Sequence, residues 1–216
     1  MRAIKFKGGY DRNLSYILFD EKTKKAVVID PFKEIGIYLE KAKELNLEIT
    51  GILNTHEHRD HVVGNSFFEK KGFEIIKPKK NFIAVGNSKI RIIKTPGHTP
   101  NSVCFLENGK VFTGDTLFAK RVGIVRTIET TRELYGSLKK LKKLPNKTLV
   151  YPGHEYEIEI PTTIGKEKKQ NPYLKCGNFK EFDALISKWR DYANKRYFAR
   201  RLKWLKYRYI NGLFSS

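Results

Sequence analysis

The chain has 216 residues, 40% of them hydrophobic and 31% charged, which is enough for one domain with a substantial core, and no apolar stretch is long enough to span a bilayer. Lys and Arg number 43 against 23 Asp and Glu, and the resulting +20 favours anionic partners, from small acidic substrates to nucleic acid or an anionic membrane surface. Only Cys104 and Cys176 are present and the first residues lack a secretory layout, so a disulfide framework is excluded and a cytoplasmic setting is expected.

The opening MRAIKFKGGYDRNLSYILFD alternates like a strand, and SYILFD and AVVID flank the turn-like EKTKK in a hairpin that ends at Asp30-Pro31. A helix is predicted over EIGIYLEKAKELNLE, where Ile35, Tyr38, Leu39, Ala42 and Leu45 recur at helical spacing. EITGILNT reads as a buried strand, followed by a short helix over VVGNSFFEKK that begins just after His61. FEIIK, NFIAV and KIRIIKT are predicted strands, and SVCFLENGKVFTGD is a hairpin around Asn108-Gly109 that buries Cys104 as a packing thiol. TRELYGSLKKLKKL is an amphipathic helix with Leu134, Leu138 and Leu141 on one face, and TLVYPGH returns to strand and then loop. Strand groups each followed by a helix predict a layered α/β protein with two packed sheets and helices outside.

From Cys176 onward the character changes, with ten Lys and Arg against three Asp and Glu in the last 41 residues. Phe179, Phe182, Leu185, Ile186, Trp189 and Tyr192, then Phe198, Leu202 and Leu205, fall at helical spacing. The organisation expected is a main domain over 1–175 and a basic amphipathic helical extension over 176–216 packed on it, with Trp189 among the packing residues. Covering a pocket, or lying on an anionic membrane, are the other uses such a segment has.

The chain has five histidines, and His56, His58 and His61 crowd into NTHEHRDHVVGN together with Asp60. On a strand, residues 56 and 58 point the same way, and a tight turn past the strand end would aim Asp60 and His61 at a neighbouring point, which suits two adjacent metal sites. The zincin pattern fails, because the position that needs its second histidine holds Asp60. His98 in TPGHTP, Asp115 in FTGDTLF and His154 in YPGHEY occupy three further strand ends, where ligands collect when several strands point at one site.

The pattern THEHRDH, TPGHT, TGDTLF, PGHEY resembles the metallo-β-lactamase superfamily, and GDTLF, GHEY and the segment PTTIGKEKKQNPYL (161–174) are similar to compact glyoxalase II-type thioester hydrolases. The resemblance implies an αββα sandwich with metals at one edge of the sheets. It assigns His56, His58 and His98 to a first metal, Asp60, His61 and His154 to a second, and Asp115 to both, with Asp30 in VIDP supporting the site from behind. Two divalent ions are implied, zinc first and iron or manganese as alternatives. Roughly 3.5–4 Å apart, they can share a hydroxide that attacks an acyl carbonyl, with Asp60 and Asp115 as the catalytic carboxylates. The expected substrate is a small anionic acyl thioester, met by Tyr156 and by Lys120, Arg121 and Arg126 in the loop AKRVGIVRT. That loop departs from the family's glutathione-binding pattern, since Ile124 stands at the basic position and Arg126 at the aromatic one, so reaction type is better supported than substrate. The alternatives are an RNA or DNA phosphodiesterase of the same fold, a mononuclear-iron persulfide dioxygenase, and a non-catalytic module, which a complete ligand set argues against. Oligomeric state is not legible.

Overall fold

The computed structural model describes residues 1–9, 11–77, 81–156, 160–191 and 194–195. The chain opens with β1 (Arg2–Gly8) and β2 (Asn13–Phe19), continues through β3 (Lys25–Ile29), and after α1 (Gly36–Glu44) adds β4 (Glu48–Leu53). These strands form one sheet in the order β1-β2-β3-β4, with only the β3–β4 pair parallel, as the helical crossover between them allows. Two short helices, α2 (Arg59–Val62) and α3 (Asn65–Glu69), lead to β5 (Phe82–Val85), β6 (Ser88–Lys94), β7 (Val103–Glu107) and β8 (Lys110–Gly114). A small hairpin of β9 (Leu117–Phe118) and β10 (Arg121–Val122) precedes α4 (Ile128–Lys142), β11 (Leu149–Pro152) and β12 (Thr162–Thr163). The second sheet runs β12-β11-β8-β7-β6-β5. Helices α5 (Ile164–Gln170) and α6 (Pro172–Lys175) follow, and residues 179–191 form a further helix, α7.

Strand period explains the layers. On β2, Leu14, Tyr16 and Leu18 face the second sheet and meet Ile90, Ile92, Phe105 and Phe112, while Ile17 and Phe19 face outward onto Phe32, Tyr38 and Phe68. The outer face of the second sheet, with Cys104, Val111 and Val150, is covered by Leu134, Leu138 and Leu141 of α4, Ile164 and Leu174. Helix, sheet, sheet, helix is the αββα sandwich expected. Helix α4 is stopped at its start by a reciprocal capping box between Thr127 and Thr130. No helix among the described residues is long and apolar enough to cross a membrane.

Some expectations shift. FEIIK is not a full strand: only Ile75 bridges Ile52, because two backbone bonds to Ile52 are made before the chain diverges. The helix expected after His61 starts at Arg59 and breaks at Gly64, whose amide donates to the Pro31 carbonyl. In the C-terminal segment Phe182 and Ile186 are buried in the same cluster as α4, but Trp189 is 49% exposed and is not a core residue. By helical phase it follows Phe182 and Ile186 on the same face, so its exposure goes with its place about one turn beyond the buried Ile186, near the end of the described helix. Tyr192, Phe198, Leu202 and Leu205 lie outside the described residues.

Candidate metal centre

Topology brings the chemistry to one edge. Strands β3 and β4 are parallel, so Asp30 after β3 and the loop 54–58 after β4 emerge together, and antiparallel β2 starts there with Asn13. In the second sheet β6, β8 and β11 run in one direction, so His98, Asp115 and His154 leave the corresponding edge. The sheets are stitched here by Leu14 N–H to the Gly153 carbonyl at 2.7 Å and Val103 N–H to the Thr55 carbonyl at 2.8 Å.

Two groups result. His56, His58, His98 and Asp115 converge with ligand atoms within 4.8 Å of one another, and Asp60, His61 and His154 do the same. Their origin differs from a single strand: β4 ends at Leu53, His56 and His58 lie on the loop beyond it, and Asp60 and His61 are presented by the one-turn helix α2. Asp115 reaches both groups, with Oδ2 3.4 Å from His98 Nε2 and 4.0 Å from His56 Nε2, and Oδ1 3.3 Å from His61 Nε2 and 3.4 Å from His154 Nε2.

Each ring is oriented by what its other nitrogen touches. Carbonyl oxygens only accept, so His98 Nδ1 donates to Ile124 O at 2.8 Å and His154 Nδ1 donates to Asp11 O at 2.7 Å. His61 Nδ1 donates to Asp30 Oδ2 at 2.9 Å. Thr55 Oγ1 gives its hydrogen to Asp30 Oδ2 at 2.6 Å, leaving the hydroxyl oxygen to accept from His56 Nδ1 at 3.1 Å. These four rings therefore turn Nε2 lone pairs inward, and His58 contributes Nδ1, which lies 3.1 Å from His56 Nε2 and 2.9 Å from His98 Nε2. A proton on His58 could bridge to one of them, not both. Likewise His61 Nε2 and His154 Nε2 stand 3.2 Å apart. Lone pairs so disposed can be shared by a cation held between them.

Electrostatics separate the rings into two pairs. Burial pushes the His56 imidazole down to about 2 and lowers His98 as well, keeping both rings neutral. Burial alone would lower His61 and His154, but Asp30 beside the first and Asp115 beside both outweigh it, and both are raised. Burial also favours the neutral form of Asp115, yet His154 and His61 hold it well below the usual carboxylate range. Asp115 Oδ1 is buried without a hydrogen-bond partner, and a Cβ at Gly153 would lie 2.5 Å from it and 2.7 Å from His61 Cε1. An orphaned carboxylate oxygen in a hollow kept open by glycine, ringed by imidazole lone pairs, fits a divalent cation.

Among the residues predicted to meet substrate, Tyr156 stacks on His154 at 5.3 Å between centroids and donates its hydroxyl to Asp11 Oδ2 at 2.9 Å. The Arg121 guanidinium lies 5.8 Å from the Tyr156 ring. Lys120 and Arg126 are exposed on the same loop, Lys120 in the left-handed turn of the β9–β10 hairpin. Apart from Asp30, sequence reasoning missed the residues behind the ligands. Asn13 Nδ2 donates to Asp60 Oδ2 at 2.9 Å, and Glu167 and Asn171, both buried, bind the backbone of Lys120 and Arg121. Nothing local marks Asn13, whereas Asn171 before Pro172 carries a legible helix-start signal.

A profile of the metallo-beta-lactamase superfamily matches residues 9–81 and 79–154. A hydroxyacylglutathione hydrolase of Pelagibacter ubique is 40% identical over 226 residues, covering 80% of this chain and 92% of that protein. One of Rhizobium etli is 33% identical over 217 residues, covering 77% and 84%. A crystal structure of ETHE1 from Myxococcus xanthus is similar at a TM-score of 0.79 with 30% identity, over 87% of this chain and 90% of that one.

Proposed function

The chain belongs to the metallo-beta-lactamase superfamily, and from that membership we propose that it is a glyoxalase II-like hydrolase that cleaves the acyl–sulfur bond of a small anionic thioester. The observation that carries the reading is the reach of Asp115 into both ligand groups. Relatives named hydroxyacylglutathione hydrolase support the choice of reaction.

His56, His58 and His98 would hold one divalent ion, Asp60, His61 and His154 a second, and Asp115 both. Imidazole and carboxylate donors suit zinc, with iron and manganese also compatible. When bound, such a pair supplies Lewis acidity for a carbonyl oxygen and a nucleophilic water at neutral pH. Asp60, held at Oδ2 by Asn13, takes the proton of the attacking water and passes it to the departing sulfur, so thioester and water become acid and thiol. Neither cysteine takes part: Cys104 is buried and burial raises its thiol to about 11, and Cys176 packs against the α4 cluster and joins neither ligand group. Arg121 and Tyr156, beside His154, and the exposed Lys120 and Arg126 meet the anionic carrier.

The test is turnover by metal-loaded protein of S-lactoylglutathione, run beside a persulfide with oxygen uptake and a labelled RNA. Thioester hydrolysis that falls by roughly 100-fold or more in His58→Ala is the expected result. Turnover that survives this substitution, or oxygen uptake or RNA cleavage in place of thioester hydrolysis, overturns the reading.

A further inference from the structure

The two ligand groups are held from different directions. In the first, His56 leans on Thr55 and His98 on the Ile124 carbonyl. In the second, two of three members depend on the tip of the β1–β2 hairpin: Asp60 on the Asn13 amide and His154 on the Asp11 carbonyl.

We propose that Asn13 is the positioning residue of the second ion, and that this hairpin tip determines whether the protein holds one ion or two. The proposal rests on the two-ion reading above. Asp60 depends on such a partner to keep its place. It rides on a four-residue helix, its side chain is 37% exposed, and water competes for its oxygens. The Asn13 bond holds Oδ2 3.5 Å from both His61 Nε2 and His154 Nε2. Asn13 is itself 1% exposed and doubly fixed, its Oδ1 accepting from Asp11 N–H at 3.1 Å and its backbone bridging His154. The turn is built around this amide. Gly9 has φ +68°, and a Cβ there would lie 2.9 Å from Asn13 Oδ1. Arg12 takes the left-handed φ of 55° and offers its carbonyl to Glu155 N–H at 2.9 Å, which draws the His154 loop onto the same tip. Tyr156 closes the arrangement through Asp11 Oδ2.

Truncating Asn13 lets Asp60 turn to solvent and loosens the Asp11 carbonyl under His154, while Thr55 and Ile124 still hold the first group. The experiment is zinc titration of the chelator-stripped full chain against a competing indicator, with ions per chain counted by native mass spectrometry. Wild type should bind two ions, and Asn13→Ala should bind the first unchanged and the second about 10- to 100-fold more weakly. Asp60→Ala serves as the reference for a lost second ion. Tyr156→Phe, which removes only a hydroxyl, should weaken the second ion in the same direction by less, and it decides the matter if Asn13→Ala fails to fold. Equal weakening of both ions, or unchanged constants in either variant, overturns the proposal. A wild type that takes a single ion overturns the two-ion reading instead.

Discussion

Asp30 sits at φ +52°, a conformation that costs a non-glycine residue of order 1 kcal/mol, and its carboxylate shows what holds it there. Oδ1 accepts Thr55 N–H and Oδ2 accepts the Thr55 hydroxyl and His61 Nδ1, so one buried group fixes His61 directly and His56 through Thr55. Asp20 does a comparable job far from the ligands. Its Oδ1 accepts Lys22 and Thr23 N–H, and its Oδ2 accepts Ser88 Oγ from the start of β6, clasping the two sheets. The Thr23 amide, with Ser88 next in weight, lowers its pKa to about 2. A depressed carboxyl stabilises the fold above its unfolded value of about 4 and loses that contribution as pH falls through the folded one. We therefore expect Asp20→Asn to be less stable than wild type at pH 7, with the gap in urea midpoint closing between about pH 5 and pH 2. A gap constant over that range would remove Asp20 from the account. Ligands were legible at this scale because histidine is scarce here and each one stands beside a turn signal at a strand end. Asn13, Thr55 and Asp11 were not, since an asparagine 47 residues from its carboxylate has no local signature.

Among elements, the β9–β10 hairpin shows how a weak piece of structure is made firm. It has two residues per strand, and Glu167 and Asn171 reach into it, the first accepting Lys120 N–H at 2.7 Å and the second donating to the Arg121 carbonyl at 3.1 Å. Glu167 is further satisfied by Thr162 Oγ1 and Asn171 Nδ2, so the buried carboxylate carries no unmet acceptor. The segment 161–174 thus places the loop that carries Arg121 beside Tyr156. Strands this short lie below what alternation can reveal, whereas seven-residue β2 and fifteen-residue α4 were readable from period alone. Helix α7 tests whether the C-terminal segment belongs to the main core. Phe182 is fully buried against Tyr135 at 5.2 Å, and Phe179 lies under the Arg132 guanidinium at 4.1 Å. Phe182→Ala should cost about 3–5 kcal/mol and lower the midpoint of a single cooperative unfolding transition. A separate early transition, with the main one unmoved, would make the segment an independent appendage.

At the scale of the whole molecule the +20 charge acts on encounter more than on chemistry. For an anionic thioester, kcat/KM should fall several-fold as ionic strength rises from about 0.02 to about 0.3 M, where the Debye length shrinks to under about 10 Å. A neutral thioester analogue should show no such dependence, and equal slopes for the two would remove electrostatic steering. The layered α/β class, the main helices and strands, and the seven candidate ligands were legible in the amino-acid order alone, because these depend on periodicity within ten or so residues and on rare residue types beside turns. Only the folded chain decides which nitrogen each ring turns inward, how closely Asp115 approaches each group, and that Asn13 and the Ile124 carbonyl stand behind the ligands. Those relations join residues from both sheets at one edge, and a hydrogen bond of 3 Å between distant parts of the chain is a property of strand register and packing, which no local pattern encodes.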